Sequence, residues 1–260
     1  MRRGVLAAMV LLPAVALAAT ELIKNRKGVR FTPAIVEPDG RWSERLDLPE
    51  GFTITRFAEK LGEPRMLAAA ADGTVYVTRR KPGDVLALKD KDGDGRAESQ
   101  QPVVEGLEGV HGIVLHDGAM YLATVHDVYK AAVTNGSVGK PFRILEGLPP
   151  GGRHPNRTLG VGPDGRLYVS IGSTCNACVE EHEESAAIIR AGLDGSGREL
   201  FATGLRNTIG FGWHPATGEM WGLDHGTDWL GDTFPPKELT GGWQKLRLAV
   251  RPRRQPGHGA

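Results

Sequence analysis

The loop from Asp224 to Asp232 has the composition of a site for a hard cation. Its sequence, DHGTDWLGD, contains Asp224, Asp228 and Asp232 within nine positions. Carboxylates and free loop carbonyls are the oxygen ligands that calcium prefers. An Arg-Asn pair, Arg206 and Asn207, precedes this loop along the chain. We therefore predict a calcium site next to an arginine that can bind an anionic ligand.

Two histidines occupy equivalent positions before two successive strand hairpins. His111 lies in GVHGIV and His154 lies in GGRHPNRTLGVGPDG, each just ahead of an apolar run. Arg206 and Asn207 take the same place one repeat later. The unperturbed pKa of histidine lies near neutrality, which suits a general base. We predict that these positions line one rim of the fold, and that His154 is a candidate base; a surface-loop histidine is the alternative.

A second acidic stretch, KDKDGDGRAE, follows an apolar run earlier in the chain. Asp90, Asp92 and Asp94 alternate along it and Glu98 follows, a pattern related to that of calcium-binding loops. The bidentate glutamate that ends such a loop is missing, because Gln101 stands in its place. A structural calcium site and a solvated acidic turn are both compatible with this sequence.

The chain contains two cysteines, Cys175 and Cys178, in the sequence Cys-Asn-Ala-Cys. Zinc needs more ligands than this pair supplies, and haem attachment needs a histidine where Val179 stands. A redox-active pair would need a thioredoxin-like pattern, which does not surround these residues. We predict a local structural disulfide, as is usual in an oxidising compartment.

All of these residues lie on or beside a repeated element. Two apolar runs joined by a glycine turn recur four times, with the turn glycines about 45 to 53 residues apart. An Asp-Gly turn between alternating runs is a strong hairpin signal, and a hairpin at this period is typical of four-stranded propeller blades. We predict an all-β propeller with about four blades in this chain; a β-sandwich with coincidental turn spacing is the alternative. The turn glycines are Gly73, Gly118, Gly165 and Gly218.

Local pattern predicts four further elements. The runs DVLALKD and DVYKAAV continue the first two repeats as strands, and Gly51 to Glu59 alternates in the manner of a strand. The stretch from Glu180 to Arg190 is predicted to form a helix.

Composition limits the class of protein. The 32 Lys plus Arg and 31 Asp plus Glu residues give a net charge of +1, which provides no case for nucleic acid as a partner. The 36 glycines and 17 prolines favour turns and short strands. Residues 1–19 have the layout of a secretory signal peptide, with an uncleaved anchor as the alternative. We expect a periplasmic or secreted protein without stable membrane insertion after signal cleavage.

Composition also suggests boundaries. Residues 20–50 form a Pro-rich polar extension, residues 51–240 carry the repeats, and residues 241–260 form a basic tail without strand alternation. The abrupt change after Leu239 is expected for a truncated or frameshifted end that has lost blades, because an open propeller leaves unpaired strand edges. A natural tail is the alternative.

Three stretches together resemble the glucose/sorbosone dehydrogenase family, over about Gly51 to Leu239. They are HPNRTLGVGPDGRLYVSIGSTCNAC, FATGLRNTIGFGWHP and WGLDHGTDWLGDTFPPKEL, and the DKDGDG loop is common in the sorbosone branch. The resemblance implies an exported, six-bladed quinoprotein propeller that uses pyrroloquinoline quinone (PQQ) and calcium. It implies oxidation of a sugar or sugar aldehyde by hydride transfer to the quinone, with a separate electron acceptor.

The resemblance also implies roles for individual residues. His154 matches the catalytic base that removes a proton from the sugar hydroxyl. Arg206 matches the catalytic arginine that contacts the quinone oxygens, and Asn207 matches its cofactor-contacting neighbour. Gly226 and Thr227 match residues that offer backbone carbonyls to the cofactor calcium.

Other matches are less specific. Asp224, Asp228 and Asp232 are further candidate ligands of the cofactor calcium, and His111 stands at a cofactor-contact position where some members have a glutamine. The family continues with a Tyr-Gly-Trp motif and two further blades, whose basic residues hold the quinone carboxylates. Here Gly241-Gly242-Trp243 leads into the basic tail.

Two other function classes are compatible with such a propeller. A calcium-dependent lactonase or other hydrolase would need ligands from several blades around one central ion, whereas the aspartates here concentrate in one loop. A non-enzymatic propeller that binds a carbohydrate or a protein partner would need neither metal nor quinone.

Overall fold

The computed structural model describes residues 46–228 and the backbone of the strand Glu238–Gly241. The predicted signal peptide, the extension up to residue 45, Asp232 and the tail from residue 242 lie outside these described residues. No helix that could cross a membrane occurs in the described part of the chain.

The chain divides into a unit Met1–Ile54 and a unit Thr55–Ala260. The described residues of the first unit, 46–54, contain a turn at residues 50–51 and no strand. All of the strands below belong to the second unit.

Sixteen strands are described, and they form four antiparallel sheets. The first sheet contains, in order, β1 (Pro64–Ala69), β2 (Val75–Arg79), β3 (Asp84–Lys89) and β4 (Ser99–Val104). The second contains β5 (Gly112–His116), β6 (Ala119–Ala123) and β7 (Val128–Thr134), with β8 (Ser137–Val138) and β9 (Phe142–Leu145) both paired to β7.

The third sheet contains β10 (Arg157–Val161), β11 (Leu167–Ile171), β12 (Ala187–Ala191) and β13 (Glu199–Thr203). The fourth contains β14 (Thr208–Trp213), β15 (Met220–Asp224) and β16 (Glu238–Gly241). The predicted strands DVLALKD and DVYKAAV are β3 and β7. The prediction of an all-β fold is confirmed for the described residues.

The first strands of the four sheets lie next to one another. β1 contacts β5, β5 contacts β10, and β10 contacts β14. The sheets are therefore placed side by side around their first strands, an arrangement consistent with the radial packing of propeller blades.

Apolar side chains fill the spaces between adjacent sheets. The burial of apolar side chains is the main favourable contribution to the stability of such a fold. One buried cluster includes Tyr76 of the first sheet and Leu122 of the second, another includes Tyr121 of the second and Val169 of the third, and a further one includes Tyr168 of the third and Met220 of the fourth.

The predicted turn glycines take up the left-handed backbone conformation. Their φ angles are 83° at Gly73, 70° at Gly118, 71° at Gly165 and 69° at Gly218. In the two-residue turn between β5 and β6, Asp117 also has a positive φ, of 45°, as a type I′ hairpin requires. These turns close the first hairpin of each sheet at one end and leave the opposite end to longer loops.

The helix predicted over Glu180 to Arg190 is wrong. Residues 180–186 form a loop, and the following run is the strand β12, which pairs with β11 on one side and β13 on the other. Ile188 and Ile189 are fully buried. Because β-branched residues suit a strand packed on both faces, burial outweighs the helical propensity of the preceding glutamates and alanines.

The strand predicted over Gly51 to Glu59 is also wrong, because no strand lies between residues 51 and 59. The carbonyl oxygen of Phe57 accepts one backbone hydrogen bond, from Ala97 at 2.7 Å. Phe57 packs against the outer apolar cluster that contains Val77 and Leu86. Phe57 and its neighbour Ala58 therefore cover a sheet instead of joining one.

Candidate active site

The loops that carry the predicted site residues lie at one end of the sheets, opposite the first hairpin turns. His111 precedes β5, His154 precedes β10, and Arg206 with Asn207 precedes β14. Hydrogen bonds join these loops across sheet boundaries, for example from the backbone N of Ser173 to the carbonyl oxygen of Arg206 at 2.7 Å. The structure therefore brings the three predicted positions to one rim.

His154 is held by the loop that follows β11. Its Nδ1 lies 2.8 Å from the carbonyl oxygen of Ser173 and 2.9 Å from Oγ of the same residue. Because a carbonyl oxygen can only accept, Nδ1 carries the proton of the neutral ring, and Nε2 carries the lone pair. Nε2 has no hydrogen-bond partner among the described residues. In its neutral form the half-buried ring therefore carries its lone pair on Nε2, as a general base requires.

His111 is fixed in the same way by a buried arginine. Its Nδ1 lies 2.9 Å from the carbonyl oxygen of Arg157, so this ring also carries its proton on Nδ1. The pKa of His111 is lowered, mainly by burial and further by the charges of Arg65, Arg80 and Arg157, against the opposing effect of its hydrogen bond. His111 is therefore neutral at physiological pH.

Arg157 is a site residue that the sequence did not single out. Its side chain is fully buried. Burial lowers the pKa of Arg157 to about 10, and the charge of Arg80 contributes to the shift, so the guanidinium is still protonated at neutral pH. A charged residue at the start of an apolar strand, in HPNRTLGV, was the available signal. Its donors reach the carbonyl oxygens of Pro149 (2.8 Å), His154 (3.1 Å), Val125 (3.2 Å) and Asn156 (3.4 Å).

Arg206 lies in the middle of a dense set of hydrogen bonds, with 12% of its side chain exposed. Nε donates to the carbonyl oxygen of Asn176 at 2.8 Å, and Nη1 donates to that of His225 at 3.1 Å. Nη2 donates to Asn176 Oδ1 at 2.6 Å and to Asp228 Oδ2 at 3.1 Å. Four of the five guanidinium N–H groups are thus engaged, and the second hydrogen on Nη1 has no partner among the described residues.

Asn176 is a second residue that the sequence reasoning missed. It lies inside the Cys175–Cys178 ring, which a disulfide closes. Besides accepting from Arg206, its Oδ1 accepts from the backbone N of Asp228 at 2.9 Å, and its Nδ2 donates to the Asp228 carbonyl oxygen at 3.3 Å. An asparagine enclosed by two cysteines in a short ring was the signal.

Asp224 uses both carboxylate oxygens to hold the Arg-Asn pair. Oδ2 accepts from the backbone N of Arg206 at 2.9 Å, and Oδ1 accepts from the backbone N of Asn207 and from Thr208 Oγ1, each at 2.9 Å. These contacts give Asp224 a positioning role. Its service as a calcium ligand stays a prediction.

The carbonyl groups of Gly226 and Thr227 lie in the half-buried loop that follows β15. Neither oxygen has a hydrogen-bond partner among the described residues. Adjacent carbonyls of this kind fit the oxygen-rich coordination of calcium. Asp228, whose side chain is 60% exposed, is engaged with Arg206, and Asp232 lies outside the described residues.

Asn207 and His154 approach each other across a glycine. A Cβ atom added to Gly172 would lie 2.5 Å from His154 Cβ and 2.9 Å from Asn207 Oδ1. The side-chain amide of Asn207 makes no hydrogen bond within the described part of the chain. Gly172 thus allows a close approach that leaves a polar amide beside the histidine.

The acidic stretch after β3 folds into an exposed turn. Asp90 accepts from the backbone N of Gly93 at 2.7 Å and of Gly95 at 2.9 Å, and Glu98 accepts from that of Lys91 at 2.7 Å. A calcium ion at this turn stays a prediction, since exposed acidic turns are common without one. Carboxylate oxygens from four residues lie within 4.8 Å of one another: Asp90, Asp92, Asp94 and Glu98.

Fold and site together define an all-β protein whose side-by-side sheets carry a histidine, an arginine and an acidic loop at one end. The model of the TrAA12-like family matches residues 46–233, and the chain belongs to this family. The resemblance to quinoprotein sugar dehydrogenases is thereby confirmed at the level of the family.

Solved structures agree on the fold. The calcium structure of a Trichoderma reesei carbohydrate-active enzyme of family AA12 is 21% identical, with a TM-score of 0.62 over 72% of this chain and 54% of that one. The PQQ-bound aldose sugar dehydrogenase of Streptomyces coelicolor is 19% identical, with a TM-score of 0.60 over 80% of this chain and 68% of that one.

Among curated proteins, quinoprotein glucose dehydrogenase B of Acinetobacter calcoaceticus is 23% identical over 148 residues, which are 47% of this chain and 31% of that protein. The chain thus spans about half the length of the Trichoderma chain and about a third of the Acinetobacter protein.

Proposed function

We propose that this chain carries the proton-abstracting part of a PQQ- and calcium-dependent sugar dehydrogenase, with His154 as the base. The observation that carries the proposal is the Nδ1 hydrogen bond of His154 to the Ser173 carbonyl at 2.8 Å. In the neutral ring this bond places the lone pair on Nε2, at the rim that also bears Arg206. Family membership and the quinoprotein relative support the same reaction class.

In this mechanism Nε2 of His154 accepts the proton of the sugar hydroxyl. The imidazolium that forms keeps Nδ1–H on the Ser173 carbonyl, which fixes the ring and stabilises its charge. Bound PQQ would accept the hydride from the sugar carbon, and calcium would polarise the quinone as a Lewis acid.

The residues at the rim fit these cofactors. The carbonyls of Gly226 and Thr227 would hold calcium, because they lack other partners in the described region. The remaining Nη1 hydrogen of Arg206 and the amide of Asn207 would contact PQQ oxygens. An arginine suits this role because its charge is permanent.

We further propose that the four sheets are successive blades of a six-bladed propeller. The blades of this chain would occupy about residues 51–240. The coverage of relatives supports a larger propeller, since the chain spans 54% of the Trichoderma chain. The substrate would be a sugar or sugar aldehyde, and a separate carrier would take the electrons. Export through a signal peptide at residues 1–19 completes the proposal.

The test is dye-linked oxidation of aldoses by the purified chain reconstituted with PQQ and calcium. His154→Ala should lower kcat by about 100-fold or more, the contribution typical of a general base, and leave the Kd for PQQ within about threefold.

His214→Ala is the matched control, because His214 lies at the opposite hairpin end and should leave kcat unchanged. Absence of PQQ binding to the wild-type chain at micromolar concentrations would overturn the proposal. So would lactone hydrolysis that needs calcium alone.

A further inference from the structure

The Cys175–Cys178 ring projects from the third sheet toward the loops of the fourth. Asn176, inside this ring, takes part in four hydrogen bonds with two residues of those loops. Two go to the guanidinium of Arg206, through the Asn176 carbonyl at 2.8 Å and Oδ1 at 2.6 Å. The other two join Asn176 to Asp228: Asn176 Oδ1 accepts from the backbone N of Asp228 at 2.9 Å, and Asn176 Nδ2 donates to the Asp228 carbonyl oxygen at 3.3 Å. Asp228 Oδ2 in turn accepts from Arg206 at 3.1 Å.

The four hydrogen bonds of Asn176 link parts of the chain that are far apart in sequence. They cross 30 residues of sequence to Arg206 and 52 to Asp228. Asn176 therefore touches both the cation and the loop that the proposed function assigns to the cofactors.

The ring that presents Asn176 is held from both sides. The disulfide closes it within four residues, which restricts the backbone of Asn176 in the way that a short covalent loop does. Just before the ring, Thr174 donates to Glu180 from its backbone N at 3.0 Å and from Oγ1 at 2.7 Å. The Ser173 hydroxyl donates to the Cys175 carbonyl at 2.8 Å.

The same segment also holds the proposed base. Ser173, two residues before Cys175, contacts His154 Nδ1 through its carbonyl and its hydroxyl. One short stretch, Ser173 to Cys178, thus contacts His154 at its start and Arg206 through its ring. A change in the ring is expected to reach both groups.

We infer that Asn176 is a positioning residue, which the disulfide ring holds so that it fixes the Arg206 guanidinium and the backbone of Asp228. The inference rests on the proposed function for its catalytic meaning. In this role Asn176 acts through Arg206, which it contacts directly. Hydrogen bonds to a charged group are stronger than those between neutral groups, so loss of the Asn176 side chain is expected to weaken the closed arrangement of Asn176, Arg206 and Asp228 by roughly tenfold or more.

The test compares Asn176→Ala and Asn176→Asp in the full chain. The alanine variant removes the Oδ1 acceptor shared by Arg206 and Asp228, and the aspartate variant keeps an acceptor there. We expect amide hydrogen exchange at Asp228 to accelerate about tenfold or more in Asn176→Ala, and to stay within about threefold of wild type in Asn176→Asp. The Kd for PQQ should follow the same order.

A Cys175→Ser/Cys178→Ser double variant should accelerate exchange at Asp228 as well, since it opens the ring but keeps the asparagine. It also serves if Asn176→Ala does not fold. Unchanged exchange at Asp228 in both the alanine and the double variant would overturn the inference. An equal acceleration of exchange in Asn176→Ala and Asn176→Asp would overturn it as well. Exchange is measured without cofactor, so a wild-type chain that binds no PQQ would defeat the proposed function and leave this test intact.

Discussion

The imidazole of His111 donates from Nδ1 to the backbone carbonyl oxygen of Arg157 across 2.9 Å. The guanidinium of Arg157 in turn donates to the carbonyl oxygen of His154 at 3.1 Å. One buried arginine thus joins the two rim histidines and ties the second sheet to the third. Both the protonation of His111 and the presence of Arg157 are therefore expected to matter for stability.

His111 should make the folded state sensitive to acid. Burial and nearby arginines lower its pKa in the folded state, whereas the unfolded chain titrates near pH 6.5. The unfolded state then binds more protons, so the stability associated with neutral His111 is present above about pH 6.5 and is lost as the pH falls below it. The loss cannot exceed about 1.4 kcal/mol per pH unit for a single group.

Urea denaturation at several pH values between 8 and 5 checks this prediction, with His111→Gln as the comparison. The free energy of unfolding of the wild type should fall more steeply below pH 6.5 than that of the variant. Parallel curves for the two proteins would contradict the assignment.

Replacement of Arg157 should be severely destabilising. Arg157→Met fills similar space but removes the donors to buried carbonyl oxygens such as that of Pro149. Each buried acceptor left unsatisfied costs about 1–3 kcal/mol, so we expect the free energy of unfolding to fall by at least about 3 kcal/mol. Arg96→Met is the control, because Arg96 is exposed and its replacement should change stability by less than about 0.5 kcal/mol. Equal stability of the two variants would refute the role of Arg157.

Gly172→Ala should disturb the site through a direct clash. The added methyl group would lie 2.5 Å from His154 Cβ and 2.9 Å from Asn207 Oδ1, and overpacking of this kind costs about 1–3 kcal/mol. Gly210→Ala is the matched control, since nothing lies within 4 Å of its added Cβ atom. Chemical denaturation and turnover should both be impaired in the first variant and nearly unchanged in the second. A well-tolerated Gly172→Ala would mean that His154 and Asn207 are less closely placed.

Asp224 and Asp228 should differ sharply, although both belong to the acidic loop. Asp224→Asn puts an amide donor near the backbone N–H groups of Arg206 and Asn207, so we expect about 1.5–3 kcal/mol of destabilisation. Asp228→Asn alters a carboxylate that is 60% exposed and should change the free energy of unfolding by less than about 1 kcal/mol. Denaturation in excess calcium chelator isolates the structural role. If both substitutions lower the free energy of unfolding only when calcium is present, Asp224 is a calcium ligand and does not stabilise the fold through its backbone hydrogen bonds.

The sheets were predictable because their signals are local. Gly73 and Gly118 mark turns that need a positive φ, and the alternating runs beside them have the period of a strand. The strand β12 was missed because the glutamates and alanines before Ile188 favour a helix, and burial between two sheets decides the outcome.

The positions of the site residues were predictable, but their partners were not. His154 and Arg206 occupy equivalent places in successive repeats, which indicates a common rim. The bonds of Arg206 to Asn176, 30 residues away in sequence, depend on how two sheets pack. Composition also does not reveal that both carboxylate oxygens of Asp224 accept hydrogen bonds from backbone N–H groups.

Each sheet is built from strands that follow one another in sequence, and this has a consequence for the order of folding. Hairpins between neighbouring strands close short loops, which favours their early formation. The rim bonds close much longer ones: 46 residues from His111 to Arg157 and 52 from Asn176 to Asp228. Individual sheets are therefore expected to form before the rim is assembled, so that the site matures only as adjacent sheets dock.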